Sequence, residues 1–460
     1  MAPDLVQSPP EFTTRHTHTF SSPGELSHVP IPALAMNRSL LTLAGGVLLL
    51  LVAGVGMLAW LGLRAGSLGD QLVQEANRQV RATWPRPSHM EVPTPGSFGE
   101  ALSGLMPELK GLYKSSDYDV MEKDKACYPV EQGTARFEDM AEPCRLMFES
   151  RREVLPRVLA ATRAQTGGLP PGLTAFSAPE HPFQRGGKIA LRYLLRFTGL
   201  EIRRLLSQGQ PAAAVDTCLD GLALSRELAL GGAYHGVVLS SGGIENLYQP
   251  CAAALDAAPP ERKRQALSQL ARLREGFPPL SSVLQSESVL TQLSYYGSML
   301  SEEQLAAMEP AAAALARDSL LQGVLPGPPM LARHHWRTTV KSFDALVAVA
   351  DLPPAERQKA FARIDVALSK RWFEVPPEDA AQMHEFALRA DRRVLLLEAL
   401  RTLVRVDLER SERGQWPATL PSGAVSPLAL EATSPTEAHL KPSDTTLEGY
   451  ALRLTADTPP

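Results

Sequence analysis

The chain has 460 residues, 44% of them hydrophobic and 21% charged, with a net charge of −4. Neither sign of charge dominates, so composition offers no basis for a nucleic-acid partner or a polyacidic one. Aromatic residues make up only 6%, and the abundance of Ala and Leu favours helix over sheet.

Residues 1–35 are rich in Pro, Ser, Thr and His without periodicity, which reads as a disordered leader. Met36 follows at once, and MNRSLLTLAGG is a plausible start of translation in its own right. Residues 39–63 are uncharged and mostly apolar, bounded by Arg38 and Arg64. As a helix this run spans roughly 37 Å, enough to cross a bilayer core with some tilt. It is longer than a cleavable signal core, and no A-x-A site follows. The expectation is therefore an uncleaved signal anchor over 37–64, with the lipid bilayer as partner through residues 39–63. Arg64, Arg78 and Arg81 lie after the run and only Arg38 just before it, which by charge count favours a cytoplasmic domain. A short amino tail and a long translocated domain argue the other way. The expected location is the bacterial inner membrane, single-pass, with the bulk of the chain in the periplasm.

Residues 65–97 read as a helical stalk followed by the Pro-rich linker PRPSHMEVPTPGS. From residue 98 to 413 nearly every segment has helical periodicity. The spacing predicts helices over 98–113, 144–166, 187–208, 211–230, 233–257, 260–275, 280–298, 301–322, 329–350, 354–372 and 377–413. Pairs such as Gly167-Gly168, Pro278-Pro279 and Pro376-Pro377 separate them. Segment 208–227 resembles the second helix of a tetratricopeptide unit, but no fixed 34-residue period continues it. The predicted fold is all-α, an irregular α-solenoid or helical bundle. The last helix carries Phe386, Ala390, Leu397, Leu400, Val404 and Leu408 on one face, and Gly414 and Pro417 end it. Residues 414–460 read as a loose tail with one strand, over 449–454.

Four cysteines, Cys127, Cys144, Cys218 and Cys251, have no metal-like spacing. Chain proximity pairs Cys127 with Cys144 and Cys218 with Cys251, provided the domain sits in an oxidising compartment. The alternative is four buried free thiols.

No catalytic, metal or cofactor motif stands up to inspection. His384-Glu385 opens an HExxH-like string, but Leu388 occupies the place of the second ligand. Gly186-Gly187-Lys188 ends like a P-loop, with Pro182 where its first glycine belongs. Arg333-His334-His335-Trp336-Arg337 places adjacent imidazoles about 100° apart on a helix, too divergent for one ion. His235 stands alone at a helix start. Asp117, Asp119, Glu122 and Asp124 form an acidic loop without EF-hand spacing. The most pointed feature is cationic: Lys188, Arg192, Arg196 and Arg203 fall within roughly 80° of one helix face. Such a stripe suits anionic lipid headgroups or an acidic partner helix, or else is a solvated face with snorkelling stems.

The passage RVDLERSERGQWPATLP (405–421) resembles one found in uncharacterised, membrane-anchored helical proteins of GC-rich bacteria. A similar helix–Gly–aromatic–Pro–Leu passage occurs in type II secretion pseudopilins. The pseudopilin likeness covers about 17 residues, and the Gly–Phe processing site of that family is missing here. These resemblances imply an anchored all-helical protein and transfer no catalytic residue. The function expected is a membrane-anchored scaffold or protein-interaction module. The alternatives are an enzyme whose site is assembled from His235, His384 and the acidic loop, or an anionic-lipid-binding envelope protein.

Overall fold

A computed structural model describes residues 38–82, 86–112, 118–177, 184–318, 329–369, 380–420, 428–442 and 450–455. The leader and the start at Met36 lie outside the described residues. The chain divides into two compact units, Met1–Trp60 and Leu61–Pro460.

The first helix, α1, runs from Arg38 to Val80. In the first unit its Val47, Leu48, Leu49 and Val52 stand exposed. Most side chains of the 39–63 run lie outside the described residues. Among the described residues no helix is long and apolar enough to cross a membrane. A span needs about 20 consecutive apolar residues, and the stretch of α1 whose side chains are continuously described, residues 67–80, mixes apolar groups with Asp70, Glu75 and Arg78. The single-pass inner-membrane location, with the bilayer as partner and the bulk of the chain in the periplasm, is corrected on that finding.

The second unit is mostly helical, as expected. After α1 come β1 (Thr94–Ser97), α2 (Phe98–Leu112), a one-turn α3 (Tyr128–Glu131), α4 (Glu142–Glu149), α5 (Val154–Ala161) and β2 (Ala164–Thr166). Then follow α6 (Gln184–Ser207), α7 (Pro211–Ala229), α8 (Ala233–Ala257), α9 (Pro260–Glu275), α10 (Leu280–Tyr296), α11 (Glu302–Ala306) and α12 (Pro310–Arg317). The order closes with α13 (Pro329–Val349), α14 (Pro354–Ser369), α15 (Ala380–Arg413), β3 (Leu428–Ser434), β4 (Glu437–Pro442) and β5 (Leu452–Thr455). Helices α7, α9 and α12 each open on a proline, which has no N–H to leave unsatisfied and a φ already set for a helix.

Three departures from the periodicity have local causes. The helix expected over 144–166 is two, and residues 164–166 leave it to pair in parallel with β1. The helix expected over 301–322 is also two: a Ser301–Gln304 capping box opens the short α11, and Pro310 restarts the helix after a turn. The tail is not loose with a single strand: β3, β4 and β5 form an antiparallel sheet in that order. Its inner face is Leu428, Ala438, Leu440, Leu452 and Leu454, all buried. These alternate with polar residues at strand period, a signal diluted in sequence by Thr, Ser and Glu.

The core centres on α7, buried on every side from Cys218 to Ala229. Small residues let its neighbours close in. A Cβ on Gly243 of α8 would stand 2.5 Å from the Ser225 hydroxyl, and one on Gly221 would stand 2.7 Å from Thr198 of α6. A second cluster joins the end of α1 (Leu72, Ala76) to α10, α12 and Trp336 of α13. A third joins α8, α10, α13, α14 and α15 around Phe361 and Phe386. The turn of α1 near Asn77 is fixed by side chains: the Asn77 amide donates to Ala307 O at 2.9 Å and accepts from Glu309 N at 2.6 Å.

Candidate functional site

The cationic stripe lies on α6 and is largely occupied from within. Arg196, 9% exposed, makes a two-pronged pair with Glu131, at 2.9 and 2.6 Å, and reaches Glu122 at 3.0 Å. Arg192 also meets Glu122, at 3.1 Å. Arg203 donates to the backbone carbonyl of Glu131 at 3.0 Å, and its guanidinium fills the space beside Gly133, where a Cβ would be only 2.9 Å away. Part of the acidic loop is therefore the counterpart of the stripe. Among the described residues the Asp119 carboxylate meets Lys123, at 4.0 Å, and Asp117 lies outside the described residues. Lys188, at the other end, is half-buried, and burial lowers its ammonium pKa.

The sulfurs of Cys127 and Cys144 are bonded, as are those of Cys218 and Cys251. The first pair ties α3 to α4 under the stripe; the second ties α7 to α8. All four cysteines are fully buried. Among the described residues the histidines do not converge. His235 is exposed at the start of α8, and partial desolvation and the nearby Lys188 charge push its pKa down. The side chain of His384 lies outside the described residues. His334 and His335 hold their ring centroids 6.3 Å apart on α13. Their neighbour Trp336 turns inward, stacks on Tyr296 and donates from Nε1 to Gln292 at 2.9 Å. Among the described residues no group of three or more His, Cys, Asp and Glu is placed to hold a metal ion.

The most heavily charged buried region escaped the sequence reading. Asp220 and Glu227 stand seven apart on α7, hence on one face, at positions otherwise surrounded by apolar residues. Glu227 accepts from Arg226 at 2.9 Å and from Gly168 N at 3.2 Å, and pairs with Arg86 at 2.7 Å. Asp220 accepts two prongs from Arg163, at 3.0 and 2.6 Å, and meets His89 Nε2 at 2.9 Å. The surplus positive charge is met by carbonyls: Arg86 donates to Ala164 O at 2.9 Å and Arg226 to Pro87 O at 2.9 Å. Burial lowers the pKa of His89, outweighing the pull of Asp220, so its neutral form is favoured. These groups take up most of one another's hydrogen-bonding capacity, while His89 Nδ1 and Arg226 Nε are buried without a partner. Their effect is to clamp the Pro-rich linker onto α7. Two acidic residues at helical spacing inside an apolar helix were the available signal.

A surface cleft of about 240 Å³ opens between the end of α1, α10 and α13. Leu72, Val289 and Phe343 form its buried floor, and Gln71, Glu75, Gln285 and Asp344 stand toward its mouth. Glu75 is engaged by Arg78 and by Gln79. Asp344 has no hydrogen bond or ion pair among the described residues, and burial raises its carboxyl pKa. No protein-family model, no curated protein and no solved structure matches this chain. The resemblances at 405–421 therefore have no match beside them, and the reading of function rests on this geometry. Chemically, the cleft offers an apolar floor with carboxamides, carboxylates and the Arg78 guanidinium around it.

Proposed function

We propose that this protein is a helical scaffold that binds another protein, with residues 98–413 forming an irregular α-solenoid or bundle that carries the binding surface. The observation supporting this reading is the cleft between α1, α10 and α13, with its apolar floor and polar rim. That arrangement is typical of a recognition surface, where an apolar centre provides affinity and a polar edge provides orientation. The α6 stripe supports it less well, because Glu122 and Glu131 already occupy three of its cations.

Substitution at the cleft tests the proposal. Val347 lines it and is only partly buried, so Val347→Arg fills the cleft with little demand on the core. The tagged chain, recovered from its own host, is expected to retain a stoichiometric protein partner that Val347→Arg loses, with the thermal midpoints of both chains alike. Retention of the same partner by the variant would overturn the proposal.

A further inference from the structure

The cleft's dimensions and chemistry define what enters it. A volume of about 240 Å³ is too small for a helix and ample for one long side chain. Its floor, Leu72, Val289 and Phe343, is buried and apolar, and Val340 extends the apolar wall. Two carboxylates and one guanidinium, that of Arg78, line the same cleft, so the charge left over is the carboxylate of Asp344. Glu75 is tied to Arg78 and Gln79, whereas Asp344 is unpaired among the described residues. Such a surface is complementary to a side chain that is apolar along its stem and cationic at its tip. A wholly apolar side chain leaves Asp344 partly desolvated without a counter-charge, and an acidic one is repelled.

We infer that the cleft receives an arginine or lysine of the partner protein, its stem on Leu72, Val289, Val340 and Phe343 and its charge on Asp344. This rests on the reading of the protein as an interaction scaffold and names the chemistry of its partner. Arginine is the better fit, since its flat guanidinium packs against Phe343 while donating to Asp344 in a two-pronged geometry.

Two amidated 16-residue helical peptides provide the probe. Both carry a Leu/Ala face; one has a single central arginine and the other has citrulline, the neutral isostere. Binding to the full chain is followed by fluorescence anisotropy. The arginine peptide is expected to bind at least about tenfold more tightly than the citrulline peptide, a difference of roughly 1.4 kcal/mol. Asp344→Asn, an exposed substitution that leaves the core intact, is expected to abolish the difference, and 0.5 M salt to reduce it. Equal binding of the two peptides, discrimination that persists in Asp344→Asn, or no binding of either peptide overturns the inference. The scaffold reading falls separately, on retention of the natural partner by Val347→Arg.

Discussion

The Nε of Arg86 lies 2.7 Å from a carboxylate oxygen of Glu227, and neither side chain is exposed to solvent. This pair joins the linker that follows α1 to the helix at the centre of the core. It explains how a Pro-rich segment with little apolar surface of its own holds a fixed place. Buried pairs contribute little net stability when intact, because desolvation offsets attraction, but removing one partner strands the other charge.

Glu227→Ala leaves both Arg86 and Arg226 without their carboxylate. The expected loss is about 3–5 kcal/mol, read from the urea midpoint. Glu227→Gln keeps the shape and some hydrogen bonds and is expected to lose less. A midpoint unchanged in Glu227→Ala would mean that the network does not hold the linker.

His89 gives the fold a pH dependence whose sign follows from burial. Its pKa in the folded chain is below the ordinary value of 6.5, so below about pH 6.5 the unfolded chain binds a proton that the folded chain resists. This contribution is fully present above pH 6.5 and lost as pH falls toward the folded pKa. Urea midpoints at pH 7.5 and 5.5 are expected to differ more for the parent chain than for His89→Gln. Equal differences would show that His89 does not titrate against the fold.

Adjacent glycines on α8 are expected to respond in opposite directions. Nothing lies within 4 Å of a Cβ on Gly242, whereas one on Gly243 meets Ser225 at 2.5 Å and Leu195 at 2.6 Å. Gly242→Ala is expected to stabilise the helix by roughly 0.5–1 kcal/mol. Gly243→Ala is expected to cost about 1–3 kcal/mol through overpacking. Thermal midpoints decide, and a shared sign would contradict the close approach of α7 and α8.

Two arginines of the stripe separate burial from exposure. Arg196→Ala strands Glu131 in a nearly closed site and is expected to cost about 3 kcal/mol. Arg192 is largely solvated, and Arg192→Ala is expected to stay within about 1 kcal/mol. Equal costs would mean that the loop over α6 does not depend on the Arg196–Glu131 pair.

Helical periodicity and proline placement made most of the helices legible in the sequence. The spacing even grouped Lys188, Arg192, Arg196 and Arg203 on one face. What sequence could not convey was long-range pairing. Glu122 read as part of an acidic loop, and Glu131 drew no notice, until folding set them against Arg192 and Arg196. Arg86 and His89 looked like linker residues, because their partners on α7 are remote in the chain. The cleft was invisible for the same reason, as its three walls come from separate thirds of the sequence. The apolar run at 39–63 weighed most in the sequence reading. It led to a membrane assignment that the described helices do not support.

We propose docking of another protein at the α1/α10/α13 cleft. Its most direct test is photo-crosslinking with benzoylphenylalanine placed at Gln285, at the cleft, and at Lys359, on α14 outside it, in the chain's own host. A defined adduct is expected from Gln285, one that Val347→Arg removes and that Lys359 does not form. Matching adducts from both positions, or an adduct at Gln285 that survives Val347→Arg, would contradict it.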